Sequence, residues 1–296
     1  MWLYKFKNKI LNVSEQSLLS RKGAENPWNY TDFKIWNKLA PPWRPSNKDI
    51  SNYKTVISQF KPKETLVLGS TPEIRDLLCS LKTKVSLVDS SLSMVEQMEK
   101  LMKKKNSKEK WLIDDWQKVD ISKGSFDLII GDLVLRLIPY KKQERFLRKI
   151  NYLLKRGGVF VTRVHYVNEQ LQFIKPEKIL RDVFMLYKRK KISLKEAQGL
   201  IVLRFYDKFT DFDQHVINED HVYSCLESFL KKTSPKNKKI IRQALDIWRK
   251  GAFSYTQLRE KEVENKLKKY FNIAGLSVAN DYYEAQFHPI YLLKKR

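Results

Sequence analysis

The run Thr65-Leu66-Val67-Leu68-Gly69-Ser70-Thr71-Pro72-Glu73 joins a short apolar stretch to a glycine and then to a helix start. Three apolar residues following a β-branched threonine suit a buried strand and are too few for a helix. Glycine lets the backbone pass close to a ligand. Proline suits the first helical position, where its missing N–H costs nothing. The same grammar recurs downstream. Val85-Ser86-Leu87-Val88 ends at Asp89, Trp111-Leu112-Ile113 ends at Asp114-Asp115, and Phe126-Asp127-Leu128-Ile129-Ile130 ends at Gly131-Asp132. Val159-Phe160-Val161-Thr162 is a fifth such run. Helical spacing lies between them: residues 73–81, residues 91–104 with Leu92, Val95, Met98 and Leu101 on one face, and residues 141–154, which the pattern closes at Gly157-Gly158. Strands alternating with helices predict an α/β fold with a parallel, doubly wound sheet.

Upstream, residues 1–30 are polar-aromatic with weak helical periodicity. Trp36 and then Pro41-Pro42-Trp43-Arg44-Pro45 follow, and the prolines enforce an extended or turning path. Ser46 is placed to cap a helix carrying Ile50, Tyr53, Ile57 and Phe60. Downstream, residues 168–269 read as helical, with no strand. Their apolar residues, among them Leu180, Val183, Phe184 and Leu186, are expected to pack inward over the top of the sheet. Leu276-Ser277-Val278-Ala279 and Pro289-Ile290-Tyr291-Leu292-Leu293 read as two late strands. The expected organisation is an N-terminal helical or extended segment (1–60) against the site, a core (61–167), a helical cap inserted as a lid (168–269), and two strands completing the sheet (270–296).

Composition limits the alternatives. A chain of 296 residues with 42% hydrophobic content buries a real core. No apolar run reaches the length of a membrane span, and the start has no signal-peptide pattern, so a cytoplasmic protein is expected. Two distant cysteines, Cys79 and Cys225, exclude a disulfide framework and a cysteine zinc module. The net charge of +25 raises a polyanion partner. Lysine outnumbers arginine about three to one and is scattered, whereas a nucleic-acid face clusters its charge and favours guanidinium. A nucleic-acid partner is therefore not favoured. Lys103-Lys104-Lys105 reads as a solvated loop.

Ligands of an open α/β sheet bind beyond the carboxyl ends of its strands, where this sequence concentrates unusual residues. Gly69, with Ser70 and Thr71 beside it, offers close backbone approach. Asp89, with Ser90 and Met94 following, presents a carboxylate for ribose hydroxyls. Asp114 and Asp115 suit an exocyclic amine, Trp116 offers a flat face to a purine, and Gly131 with Asp132 closes the fourth strand. The competing reading has these acids capping helices. A dinucleotide is disfavoured because no Gly-x-Gly-x-x-Gly cradles a pyrophosphate.

These residues carry a resemblance. From Leu66 to Arg163 the chain resembles the class I S-adenosylmethionine (AdoMet) methyltransferases. It is especially similar to a bacterial subset with a Leu-Gly-x-Thr-Pro-Glu loop (Leu68–Glu73), Asp-Trp after the third strand (Asp115-Trp116) and Gly-Asp after the fourth (Gly131-Asp132). Leu153-Leu154-Lys155-Arg156-Gly157-Gly158 and Pro42-Trp43-Arg44-Pro45-Ser46 match further elements of that subset. The resemblance implies a Rossmann-like, seven-stranded, mostly parallel sheet with helices on both faces, an antiparallel final strand, and the helical cap as an insertion. It implies AdoMet as cofactor and S-adenosylhomocysteine (AdoHcy) as product. Gly69 would border the methionine moiety, Asp89 hold the ribose, and Asp115 with Trp116 frame the adenine. The chain departs from the family loop in keeping one glycine where two or three are usual.

The implied reaction moves a methyl group to an O or N atom of a small or medium-sized acceptor, enclosed by the cap. His165 is a candidate general base, Arg163 a candidate contact for an acidic acceptor, and Asp132 a candidate contact for the cofactor amino group. Trp36, Trp43, Arg44 and Tyr206 are expected to line the acceptor pocket. Tyr282 and Tyr283 are alternatives, although core packing suits all three tyrosines better. His215 and His221, near Asp211, Asp213, Glu219 and Asp220, follow no metal-ligand spacing, and no metal is expected. Gly-Asp-Leu-Val after the fourth strand differs from the Asn/Asp-Pro-Pro-Tyr/Phe of enzymes that methylate nucleic-acid amines. Neither cysteine follows a proline, as cytosine C5 methylation would need. The second reading is a basic, RNA- or protein-binding module of the same fold with little catalysis.

Overall fold

The apolar runs form one seven-stranded sheet. The structure is a computed structural model that describes residues 33–81, 83–248 and 255–296; residues 1–30 of the expected N-terminal segment lie outside the described residues. The strands are β1 (Glu64–Leu68), β2 (Lys84–Asp89), β3 (Lys110–Ile113), β4 (Phe126–Asp132), β5 (Leu154–Arg163), β8 (Phe271–Ser277) and β9 (Ile290–Lys295), in the order β3-β2-β1-β4-β5-β9-β8, while β6 (Thr210–Asp211) and β7 (Val216–Ile217) stand apart from the sheet. The first five pair in parallel, and β9 runs antiparallel to both β5 and β8. This is the Rossmann-like, mostly parallel sheet with an antiparallel final strand.

Strand periodicity divides the side chains between two layers. Leu66, Leu68, Ile129 and Phe160 join a core beneath α5 (Gln143–Leu153) and α10 (Glu260–Tyr270). Val67, Leu87, Leu128, Ile130 and Val161 face a second core beneath α2 (Asn47–Ser58), which follows the short α1 (Phe33–Trp36), and beneath α3 (Pro72–Leu81) and α4 (Leu92–Leu101). Helices therefore cover both faces, and the central strands are apolar on both sides, as buried parallel strands must be. Ser46 caps α2 as its sequence predicts. Its Oγ accepts from the Asp49 N–H at 2.9 Å while Asp49 Oδ2 accepts from the Ser46 N–H at 2.9 Å.

Between β5 and α10 the chain forms α6 (Pro176–Lys188), α7 (Leu194–Lys208), α8 (Glu219–Lys232) and α9 (Pro235–Trp248). Helix α7 is the axis of this insertion, buried from Ala197 through Leu203 and again at Phe205, Tyr206 and Asp207. A helix apolar around most of its circumference must be surrounded. Leu180 and Val183 pack onto it, with Phe184 and Leu186 at the margin. These residues build a core belonging to the insertion, with no strand of the large sheet in it, and so do not lie on the sheet top as expected.

Several elements differ from the sequence reading. Helix α5 stops at Leu153 without a glycine, and Leu154 is already extended. Gly157 and Gly158 lie inside β5. Gly157 has φ +77°, and a Cβ on Gly158 would stand 3.1 Å from the Phe126 carbonyl oxygen, so the pair serves a close approach at the register shift between β4 and β5. Strand β8 begins at Phe271, five residues early, directly from α10; Leu276 and Val278, which suggested the later start, are surface-exposed. The insertion also holds a two-residue ribbon, β6 (Thr210–Asp211) with β7 (Val216–Ile217), too short for sequence periodicity to register.

Candidate active site

The chain leaves β1 toward one edge of the sheet and returns at β4 on the other side of β1, so the crevice between the carboxyl ends of β1 and β4 is the switch point where α/β sheets bind ligands. A cavity of about 340 Å³ opens there, within the range of small-molecule sites. Gly69, Ser70, Thr71, Asp89, Ser90, Met94, Asp114, Asp115, Trp116 and Asp132 all line it, as do Trp36 and Trp43.

Local chemistry draws these residues together. Gly69 has φ +83°, a conformation that strains any side chain, and its N–H donates to the Val88 carbonyl at 2.9 Å. The Trp116 indole N–H donates to the same carbonyl at 2.8 Å, which swings the ring over the first loop. A Cβ on Gly69 would lie 3.5 Å from Trp116 Cζ2. Asp114 N–H donates to the Asp89 carbonyl at 3.1 Å, binding the third strand end to the second. The Asp115 carboxylate accepts from Gln117 N–H at 2.7 Å and shapes the turn that carries Trp116. Asp89 is buried; Ser91 N–H donates to its Oδ1 at 2.9 Å. Burial pushes its carboxyl up to about 6, against hydrogen bonds from Ser91, Ser70 and Ser90 and the charge of Arg75. After Asp132, Leu133 takes φ 54° and lines the cavity; a left-handed conformation is costly for a leucine and marks a constrained turn.

Five expected residues do not line the cavity. Gly131 is sealed below it: a Cβ there would meet Val134 Cγ1 at 2.5 Å and Leu68 Cβ at 3.2 Å. Arg44 turns away to pair with Glu73, and its Nη1 donates to the Trp36 carbonyl at 3.3 Å, so it props Trp36 rather than touching the cavity. Tyr206 is buried in the insertion, its hydroxyl 2.9 Å from that of Tyr223.

Arg163 is fully buried and has no donor to spare. Its Nε and Nη2 donate to Asp132 at 2.8 Å each, Nη1 to Asp49 at 2.9 Å and to the Tyr282 hydroxyl at 3.3 Å, and Nη2 also to the Pro42 carbonyl at 2.7 Å. Asp132 in turn is held by Arg163 and by Tyr53, whose hydroxyl stands 3.2 Å from its Oδ1. His165 is likewise enclosed, with Nδ1 3.0 Å from His288 Nε2 and Nε2 3.0 Å from Asp207 Oδ1. His288 Nδ1 faces the Glu284 carbonyl at 3.0 Å and so must donate to it. With both rings neutral, His165 Nδ1–H donates to His288, which leaves His165 Nε2 as an acceptor toward Asp207. Burial raises the Asp207 carboxyl to about 7 and pushes both histidines well down. The Asp207–His165 pair thus shares one proton inside the fold, away from the cavity.

The sequence reading missed the opposite wall. Arg136, Leu137, Ile138, Pro139 and Lys142 reach the cavity from the 3-10 turns after β4 (Val134–Leu137 and Tyr140–Lys142), Met98 comes from α4, and Tyr255 from the chain leaving the insertion. Trp43 is fixed beside them by its indole N–H donating to the Gly199 carbonyl at 3.0 Å. Of the histidines considered for metal, His215 stacks on Tyr140 at 3.5 Å between ring centroids and His221 stacks on Phe209, so the two are engaged separately. Among the described residues no helix is long and apolar enough to cross a membrane.

A sequence-family model described as a methyltransferase domain matches residues 69–158, the segment that supplies most of the cavity lining. No curated protein matches the chain. Among solved structures, the chain is similar to a putative Zn-dependent alcohol dehydrogenase from Rhodobacter sphaeroides, with 14% identity over 91% of this chain and 97% of that one at a TM-score of 0.58. It is also similar to a protein from Pyrococcus horikoshii OT3, with 15% identity over 88% and 98% at a TM-score of 0.50. A SAM-dependent methyltransferase from Methanosarcina mazei shows 15% identity over 81% and 96% at a TM-score of 0.49. At these identities the likeness to the first two is one of fold.

Proposed function

We propose that this chain is an AdoMet-dependent methyltransferase acting on an O or N atom of a small or medium-sized acceptor. One observation carries the reading: Gly69, Asp89, Asp114, Asp115 and Trp116, from three successive strand ends, border a single cavity. The methyltransferase-domain match over residues 69–158 supports it independently.

The residues present fit a nucleoside bearing a sulfonium. The Asp89 carboxylate is matched to two ribose hydroxyls. Trp116 and Met94 offer an apolar, polarisable frame for the base, with Asp114 or Asp115 to accept from its amine. Gly69 leaves room along the backbone for the methionine end. AdoMet, when bound, supplies an activated methyl group whose carbon–sulfur bond breaks as the acceptor attacks.

The protein's part is alignment and exclusion of water. Trp36, Trp43 and Tyr255 wall the acceptor side with aromatic rings. The cavity's carboxylates stand at strand ends on the nucleoside side, and no histidine lines it among the described residues. Burial pushes the Tyr255 hydroxyl up, so it stays protonated. The acceptor therefore brings its own nucleophile, an amine lone pair or a hydroxyl acidic enough to ionise unaided. Arg163 and His165 serve as positioning residues that lock Asp132 and the approach of the insertion.

Calorimetric titration with AdoHcy tests the proposal. Micromolar binding is expected for the unaltered protein, with a loss of at least tenfold in Asp89→Ala. Absence of AdoHcy binding, or binding indifferent to Asp89, removes the basis of the reading.

A further inference from the structure

Among the described residues, the fully buried Arg75 and Arg163 and the partly buried Arg204 end on carboxylates. Arg75 grips Glu109 with two bonds of 3.1 and 2.6 Å, Arg163 pairs with Asp49 and Asp132, and Arg204 pairs with Glu284 at 2.7 Å. Arg136 departs from this pattern. It is only 5% exposed and lines the cavity, yet its Nε and Nη2 have no hydrogen-bond partner among the described residues, and no carboxylate there forms an ion pair with it. The guanidinium rests between aromatic rings instead, 5.2 Å from the Trp43 centroid and 4.7 Å from that of Tyr255. Its position is fixed through the backbone: its N–H donates to the Leu133 carbonyl at 3.1 Å and its carbonyl accepts from Thr256 N–H at 2.8 Å.

A guanidinium stays charged at any ordinary pH. Burying one without an anion is costly, and the ring faces on either side return only part of the lost hydration. The two unpartnered donors form the Nε–Nη2 edge, the side-on fork that matches the two oxygens of a carboxylate. Trp43 and Tyr255, which hold this fork, reach the cavity from the segment before α2 and from the end of the insertion, not from the strand ends that frame the nucleoside.

We propose, on the basis of the methyltransferase reading, that the acceptor carries a carboxylate seated on the Nε–Nη2 edge of Arg136, with its apolar or aromatic body against Trp43 and Tyr255. A carboxylate so paired is a poor nucleophile. It is the handle by which the acceptor is held, and the methyl group goes to another O or N atom of the same molecule.

Carboxylate is also present at the methionine end of the cofactor, and the experiment separates the two sources. Melting temperatures are recorded with benzoate and phenylacetate, and with the matched benzamide and phenylacetamide, in the presence and absence of saturating AdoHcy. The same series is run on Arg136→Gln and Arg136→Met, alongside titrations with AdoHcy and with 5′-methylthioadenosine, which lacks the amino-acid end. The proposal expects at least one acid to raise the melting temperature while its amide does not. It expects that gain to vanish in both variants, which keep AdoHcy affinity within twofold and melt no lower than the unaltered protein without ligand. Equal effects of acid and amide, no effect of either acid, or an acid effect that survives in Arg136→Gln would overturn it. So would a tenfold loss of AdoHcy binding with methylthioadenosine binding unchanged, since Arg136 would then hold the cofactor. Failure of AdoHcy to bind the unaltered protein strikes the methyltransferase reading alone, because the acid and amide series without AdoHcy still reports on Arg136.

Discussion

Replacing Arg163 by methionine separates a structural role from a direct one. Methionine keeps the length and apolar stem but deletes a cation that meets two carboxylates, a carbonyl and a hydroxyl. Asp49 is fully buried, and its Oδ1 has no partner even with Arg163 present, so the variant leaves a charge with little to stabilise it. Breaking a buried pair from one side costs about 3–5 kcal/mol. At roughly 2–4 °C per kcal/mol for a protein of this size, the melting temperature should fall by roughly 6–20 °C. Urea unfolding followed by tryptophan fluorescence measures the same loss as a lower midpoint. Asp49→Asn combined with Arg163→Met removes one of the stranded carboxylates and should recover part of the loss, a coupling that independent sites do not show. If Arg163→Met unfolds within about 0.5 kcal/mol of the unaltered protein, an ordinary surface-like effect, and yet abolishes turnover, the structural account fails and Arg163 touches the acceptor.

In the proposed methyltransferase, Asp89 ties cofactor binding to pH. Its carboxyl titrates at about 6 because it is buried, and the ionised form is the better acceptor for two hydroxyls. AdoHcy affinity should therefore fall below pH 6, by up to about tenfold per unit, and Asp89→Asn should bind weakly with a flat profile. The stability sign is opposite: the unfolded chain ionises this group first, so burying it weakens the ligand-free fold as pH rises from the ordinary aspartate range through 6. Asp89→Asn should accordingly raise the ligand-free melting temperature at pH 8; no change would show that the group is better solvated than its burial implies. Gly131→Ala forces a Cβ to 2.5 Å from Val134 Cγ1, and overpacking of this kind costs about 1–3 kcal/mol, readable as a lower urea midpoint. Asp207→Asn can donate to His165 Nε2 while its oxygen still accepts from Asn168 N–H, now at 2.9 Å. It should unfold within about 1 kcal/mol of the unaltered protein while Asp207→Ala loses more, and equal losses would refute the shared-proton description.

The strand ends were legible because two independent constraints meet there. Buried parallel strands must read as apolar runs, and the turn after each must supply glycine or an acid where the backbone leaves the sheet. Gly69, Asp89 and Asp115 carry that signal locally. Arg163 and Arg136 show where it runs out. Both are single arginines close to a strand end, and sequence cannot say that the first meets Asp49, 114 residues away, while the second meets rings. A charged residue inside Leu133-Val134-Leu135-Arg136-Leu137 was the available clue, since an apolar turn rarely keeps a cation without use. Gly157-Gly158 misled because a glycine pair after a helix reads the same whether it stops the helix or eases a strand past its neighbour. The early start of β8 was hidden because that edge strand alternates half-buried with exposed residues and puts Leu276 on the surface.

The cavity has two walls with separate supports. The wall proposed for the nucleoside depends on the sheet: Trp116 and Gly69 share the Val88 carbonyl, and Asp114 leans on the Asp89 backbone. The facing wall depends on the insertion. Trp43 hangs from Gly199 of α7, where a Cβ would come within 2.9 Å of the indole, and packs beside Trp248 and Tyr255. The supports join at Pro42, whose carbonyl is held by Arg163 from the end of β5, one residue before Trp43. Contacts that share no partners change nearly independently. Substitutions in the insertion should therefore alter what is accepted while leaving the nucleoside wall intact, and Arg163 is the exception because it ties the two walls together.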